Sequence, residues 1–277
     1  MTGDISDICN PWKDVCWNNP VPKIDNVYIC SGLFEGGKFD SLHRYQQSVN
    51  DNTEVGLTFN ALPEPYSGYI NSQVYCLNIN PGTPDENFGL IQDKYKVYED
   101  ICKKSLRHQY VNPIDTKIVF NGRYLEINPE VYDRLLKGET IGNYAIHKGT
   151  VWYRRMIKSL EKVIGCEPYL FFIEFFPYHS MHSFNFPKYL PSYEYRDYLI
   201  ERAMLDMKTI IILRAPNLWF GIKRNNLGLR LRNYPNTILL NINRKLTMSP
   251  KCYCKPLLDD EKQKVLSQMK MPFGKNL

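Results

Sequence analysis

The chain has no run of 18 apolar residues, so no membrane-spanning helix is expected. Met1–Asp7 carries neither a basic cluster nor an apolar stretch, and it is not read as a secretory leader. The eight cysteines are scattered, only Cys252 and Cys254 lie close together, and no Cys-x-x-Cys occurs. Structural zinc and iron–sulfur clusters need four ligands at tight spacings, so neither metal nor another cofactor is expected. Reduced thiols then suit a cytoplasmic protein. A Gly-x-Ser-x-Gly elbow is also missing, and His179 and Ser180 are adjacent, which argues against a serine hydrolase. There is no internal repeat, low-complexity tract or long linker.

Charges of the two signs nearly balance, 35 Lys and Arg against 29 Asp and Glu. The net charge of +6 permits a polyanionic partner without requiring one. Its placement is uneven, because Lys223, Arg224, Arg230, Arg232, Arg244, Lys245, Lys251 and Lys255 meet almost no acid before Asp259. That stretch is either a solvated face or a phosphate-binding edge.

Four buried strands stand out: Tyr75–Asn80, Tyr169–Ile173, Thr209–Leu213 and Thr237–Ile242. Trp152, Met156, Leu160, Val163 and Ile164 follow helical spacing, and Gly165 supplies the stop. A second helix opens at Pro191-Ser192, with Ser192 as N-cap, and a third covers Asp259–Lys270. A helix around Lys94–Leu106 and a polar hairpin around Lys117–Ile127 fill the middle. Continuously apolar strands with helices between them predict an α/β fold. The expected form is a three-layer α/β/α sandwich on a mostly parallel four-stranded sheet. One domain is expected over residues 1–277. Residues 1–74 would wrap the core as loops and short helices, 75–253 would form the core, and 254–277 would be a C-terminal tail. Within the wrap, Pro63–Gly68 is a rigid elbow, because its two prolines forbid a helix interior or central strand.

Tyr75-Cys76-Leu77-Asn78-Ile79-Asn80-Pro81-Gly82 ends a buried strand in a tight turn. The turn places Asn80 at the sheet's carboxyl edge, where open α/β sheets bind ligands. This motif resembles the uracil-DNA glycosylase superfamily, whose mismatch-specific branch carries Gly-Ile-Asn-Pro-Gly there. The resemblance covers residues 75–253, about two thirds of the chain. It implies that Asn80 holds the water that attacks the sugar's anomeric carbon; otherwise Asn80 caps a turn. Asp85 is a second candidate for activating water, or else an N-cap. Phe88 is placed to stack on an extruded base, or to serve the core.

The family's second landmark, a strand ending in a base-reading Asn, here ends Phe172-Ile173-Glu174. Asn offers a donor and an acceptor to uracil, whereas an ionised Glu offers acceptors only. Glu174 therefore suits an amino-bearing edge. If burial raised its pKa, it would donate to cytosine N3 while accepting from N4. Its other reading is an ion pair with Arg214. His179 would touch the leaving base or a phosphate, or orient its loop. The last landmark is held by Asn243, Arg244, Lys245, Leu246 and Ser249. Arg244 and Lys245 would grip phosphates there, and Leu246 or Met248 would fill the gap left by a flipped nucleotide. Asn243 stands nearest the family's His, and its absence weakens expected uracil excision. The implied activity is metal-free excision of a modified, cytosine-type base from DNA by a monomer, in base-excision repair or, as for some relatives, phage defence. The alternatives are a nucleic-acid binding or sensing protein without turnover, and an enzyme acting on free nucleosides or nucleotides.

Overall fold

The computed structural model describes residues 10–16, 18–34, 37, 39–52, 56–59, 62–81, 102–109, 118–121, 125–127, 129–142, 144–146, 156–158, 160–180, 182, 185–240, 248, 253–254 and 257–270. In chain order it shows α1 (Lys23–Cys30), α2 (Leu42–Asn52), β1 (Tyr66–Gly68), β2 (Val74–Asn78), β3 (Ile118–Asn121), β4 (Leu125–Ile127), α3 (Pro129–Leu136) and β5 (Tyr144–Ile146). Then follow β6 (Phe171–Glu174), α4 (Tyr193–Leu205), β7 (Thr209–Ile212), α5 (Pro216–Phe220), α6 (Leu227–Asn233), β8 (Thr237–Leu239) and α7 (Asp259–Gln268). Residues 102–106 and 160–164 are also helical.

The main sheet has the order β1-β6-β2-β7-β8. The four expected apolar runs supply β2, β6, β7 and β8, which pair in parallel. The expectation of four strands needs correction. A fifth, β1, joins antiparallel to β6, so the sheet is mixed. β1 lies within the Pro63–Gly68 elbow at the sheet's edge, where a missing proline donor is tolerated. Its three residues contain no apolar run. β3, β4 and β5 form a separate antiparallel sheet that contains the expected hairpin.

Both faces of the main sheet are apolar, which explains the uninterrupted runs. Tyr75, Leu77, Phe171, Ile173, Ile210 and Ile212 pack with Leu199, Ile200 and Ala203 of α4, and with Trp219, Leu227 and Leu231. The alternating residues Val74, Cys76, Phe172, Ile211 and Ile238 pack with Met156, Ile157, Leu160 and Ile164, and with Val265 and Leu266 of α7. Val163, expected in that helical stripe, instead points outward at 60% exposure. Residues of the N-terminal segment, including Trp12, Ile29, Tyr45, Leu57 and Phe59, enter the first core. Among the described residues no helix is long and apolar enough to cross a membrane.

Gly68 shows how tightly β1 is seated. Its φ is +87°, and a Cβ there would sit 2.3 Å from the Leu170 carbonyl oxygen. Gly68→Ala should therefore destabilise the fold by about 2 kcal/mol or more, measured by denaturant unfolding.

Candidate functional site

The strand order changes direction at β2. The chain goes from β2 to β6 on one side, then crosses to β7 on the other. The carboxyl ends of these strands are therefore where a ligand crevice is expected. Asn78 at the end of β2 and Glu174 at the end of β6 meet there, and Asn80 follows two residues past β2. Asn78 lies opposite Glu174 in register, and Asn78 Nδ2 donates to Glu174 Oε1 at 3.0 Å. The ladder continues past both strands, since Phe175 N–H reaches the Asn78 carbonyl and Phe176 N–H reaches that of Ile79, at 3.2 and 2.8 Å.

Beyond that continuation Ser180 lies against Asn80. Asn80 Nδ2 donates to the Pro81 carbonyl at 3.0 Å, to Ser180 Oγ at 2.9 Å and to the Ser180 carbonyl at 3.4 Å. Two carbonyl oxygens can only accept, so the amide nitrogen must face them. Oδ1 consequently points the other way, and it accepts from none of the described residues. Ser180 is itself buried, and its Oγ donates to the His182 carbonyl at 2.9 Å. Asn80 thus presents one acceptor in a fixed direction.

His179 is 2% exposed, and its Nε2 donates to the Leu62 carbonyl at 2.9 Å. Glu64 Oε1 lies 3.8 Å from the same nitrogen. The main chain around it is stitched to Thr58, Glu64 and Pro65: Thr58 N–H donates to the His179 carbonyl, Glu64 N–H to Pro177 and Glu174 N–H to Pro65. In this geometry His179 braces the loop that holds Asn80. Tyr178 reaches the opposite way, to Asp25 of α1, at 2.7 Å.

Glu174 is partly exposed as a residue, but its Oε2 is sealed from solvent and has no hydrogen-bond partner among the described residues. Burial pushes its pKa up from 4.5 to about 8, despite the Asn78 hydrogen bond and the charge of Arg214, which pull it down; Glu64 adds to the rise. A neutral acid is therefore the main form at pH 7. Asn78 hydrogen-bonds Glu174, and Arg214, the expected ion-pair alternative, lies near enough for its charge to act on the same carboxyl. Beside Glu174 lies a cavity of about 10 Å³, bordered by Pro65, Tyr66, Phe175, Tyr193 and Arg196. That is room for about one water. Pro65 and Tyr66 belong to the elbow, so the N-terminal segment contributes to the site.

Asn78 is the residue that sequence reasoning passed over. It ends a strand otherwise buried and apolar, and a polar side chain there at 6% exposure needs a partner. His108 was also missed. It stacks on Tyr66 at 4.3 Å, its Nε2 shares a 2.6 Å hydrogen bond with Tyr195, and burial lowers its pKa to about 4.

Several basic residues of the last fifth are committed elsewhere. Arg230 pairs with Glu201 at 2.7 Å, Arg224 with Glu194 at 3.7 Å, and Arg232 lies over the Phe220 ring. Asp85, Phe88, Asn243, Arg244, Lys245, Leu246 and Ser249 lie outside the described residues. Among those described, no three His, Cys, Asp or Glu side chains gather as a metal site. No protein-family model, curated protein or solved structure matches the chain.

Proposed function

We propose that this chain is a DNA glycosylase that takes a modified, cytosine-type base out of the stack and hydrolyses its N-glycosidic bond. The observation that carries the reading is the orientation of Asn80, whose amide nitrogen is held by Ser180 while Oδ1 faces away. A water donating to Oδ1 turns its lone pair toward the anomeric carbon of an extruded nucleotide. The water oxygen bonds to that carbon as the carbon–nitrogen bond breaks. The electron pair leaves with the base, and the water's proton passes to solvent. Glu174, neutral at pH 7, donates to the departing base and offsets the charge developing on it.

Further support comes from the four parallel strands with apolar faces on both sides, and from the meeting of β2 and β6 at one edge. On this reading the architecture is a three-layer α/β/α sandwich of uracil-DNA glycosylase type, with β1 added at its edge. The protein acts as a cytoplasmic monomer on DNA, in base-excision repair or phage defence. The narrow cavity beside Glu174 favours a second reading, a nucleic-acid binding protein on the same fold that does not turn over.

Oligonucleotides carrying uracil, mismatched thymine, and hydroxymethylated or glucosylated cytosine separate the two. Abasic sites are read out by alkali cleavage. The glycosylase reading expects product from a cytosine-type base, and a rate lowered about a hundredfold or more in Asn80→Ala. DNA binding with no abasic product from any base would leave the binding protein.

A further inference from the structure

Asn78 and Glu174 are directly opposite in register on neighbouring parallel strands, and strand neighbours stand only about 4.8 Å apart. One hydrogen bond, Asn78 Nδ2 to Glu174 Oε1, joins them. It leaves each side chain with a second oxygen. Asn78 Oδ1 and Glu174 Oε2 are both sealed from solvent, and neither has a partner among the described residues. Folded proteins seldom leave one buried polar atom unpaired, and here two sit side by side at the ligand edge of the sheet.

We infer that Asn78 and Glu174 act as a single two-point reader of a base edge that offers an N–H beside a bare acceptor atom. The inference deepens the glycosylase reading and rests on it for the delivery of a base to this edge. The Asn78 nitrogen is committed to Glu174, so Oδ1 offers a fixed acceptor. Oε2 supplies the complementary group, and its character depends on protonation. The protonated acid donates, so the pair presents acceptor and donor. That pattern fits the N4–H and N3 of cytosine, and equally the N3–H and O4 of uracil or the N6–H and N1 of adenine. Guanine's N1–H beside O6 offers the same pattern, so the protonated pair accepts it as well. Once Glu174 ionises, the pair presents two acceptors, which only the adjacent N1–H and N2–H of guanine satisfy.

The charged groups around Glu174 set that switch. Glu64 raises its proton affinity and Arg214 lowers it, while burial dominates both. Arg196, across the cavity, is committed to Asp197 at 2.7 Å and to the Phe175 carbonyl at 2.8 Å. His179 lies against Glu64 rather than Glu174.

The test uses duplexes with one 2′-fluoroarabino cytosine, uracil, adenine or guanine nucleotide, which resist cleavage, against a duplex with a stable tetrahydrofuran abasic site. Fluorescence anisotropy is read well below and well above pH 8. At the lower pH the cytosine duplex should bind about tenfold or more tighter than the abasic duplex, and guanine should be the one base that keeps a gain once the acid ionises. Comparing cytosine, uracil and adenine decides which base edge is preferred. Above pH 8 the cytosine gain should vanish. Glu174→Gln, which keeps a donor at every pH, should retain it at both. Asn78→Leu should lose the gain while holding abasic DNA as well as the parent does. A cytosine gain indifferent to pH in the parent protein overturns the inference even if Asn78→Leu does not fold, as does a gain that survives in Asn78→Leu. Free nucleosides followed by saturation-transfer NMR provide the second arm. PH-switched nucleoside binding without DNA binding would remove the glycosylase reading and keep the reader. No base preference in either arm would remove the reader, whatever the cleavage assay gives.

Discussion

Asp25→Ala should lower the thermal midpoint by about 10 °C, the largest loss expected of any single side chain outside the apolar core. Asp25 is fully buried, and it accepts from Tyr178 Oη at 2.7 Å, from Ser192 N–H at 2.8 Å and from Ser192 Oγ at 2.6 Å. Alanine strands three buried donors, each costing about 1–3 kcal/mol when unpaired. Partial relaxation brings the sum to roughly 4 kcal/mol, at about 2–4 °C per kcal/mol for a chain of this size. Asp25→Asn retains an acceptor and should recover about half of the loss. Circular dichroism melts of the three proteins decide it, and equal midpoints would show that the network contributes nothing. Tyr178 directly precedes His179 and Ser180, so the same substitution should loosen the grip on Asn80.

Glu174→Gln should leave stability nearly unchanged at pH 5 and raise it at pH 9. Burial raises the Glu174 pKa from 4.5 to about 8, so the folded protein keeps a proton there that the unfolded chain has lost. Across that window the unfolded state binds fewer protons, and stability falls as pH rises. One pKa unit is about 1.4 kcal/mol, which bounds the effect near 5 kcal/mol. Partial solvent access at Glu174 reduces it to about half that bound. Glutamine mimics the neutral acid, keeps an acceptor for Asn78 Nδ2 and cannot ionise. His108 acts in the opposite direction, because its lowered pKa of about 4 makes stability rise with pH between about 4 and its ordinary value of 6.5. It is common to both proteins and cancels in the comparison. Denaturant unfolding at several pH values gives the difference directly, and parallel curves would contradict a buried, neutral Glu174.

The four parallel strands were legible because both of their faces are buried, which leaves uninterrupted apolar runs. β1 was not legible as a strand, because its three residues follow two prolines and end in a glycine that the Leu170 carbonyl crowds. Helical spacing placed Met156, Leu160 and Ile164 correctly, yet it also claimed Val163, which lies just off the buried stripe. Ser192 occupies the expected N-cap position of α4, but its hydroxyl makes no cap and donates to Asp25 instead. That partner is 167 residues away, and no local pattern reveals it. At the site, Asn80 and Glu174 were legible as polar endings of buried runs. Asn78 was hidden inside one such run, and its pairing with Glu174 depends on a strand register that spacing alone does not give. The burial of His179 follows from contacts with Thr58, Leu62 and Glu64, which lie in a stretch whose irregular sequence carries no periodic signal.

The central step of the proposed reaction is the delivery of a water by Asn80 to a sugar carbon. The most direct measurement runs the reaction in heavy-oxygen water on a duplex with one cytosine-type modified base, and follows the abasic sugar by mass spectrometry. The account predicts heavy oxygen at the anomeric carbon, released intact base, and loss of both products in Asn80→Ala. No labelled abasic sugar from any base, or labelling that persists in Asn80→Ala, would contradict it.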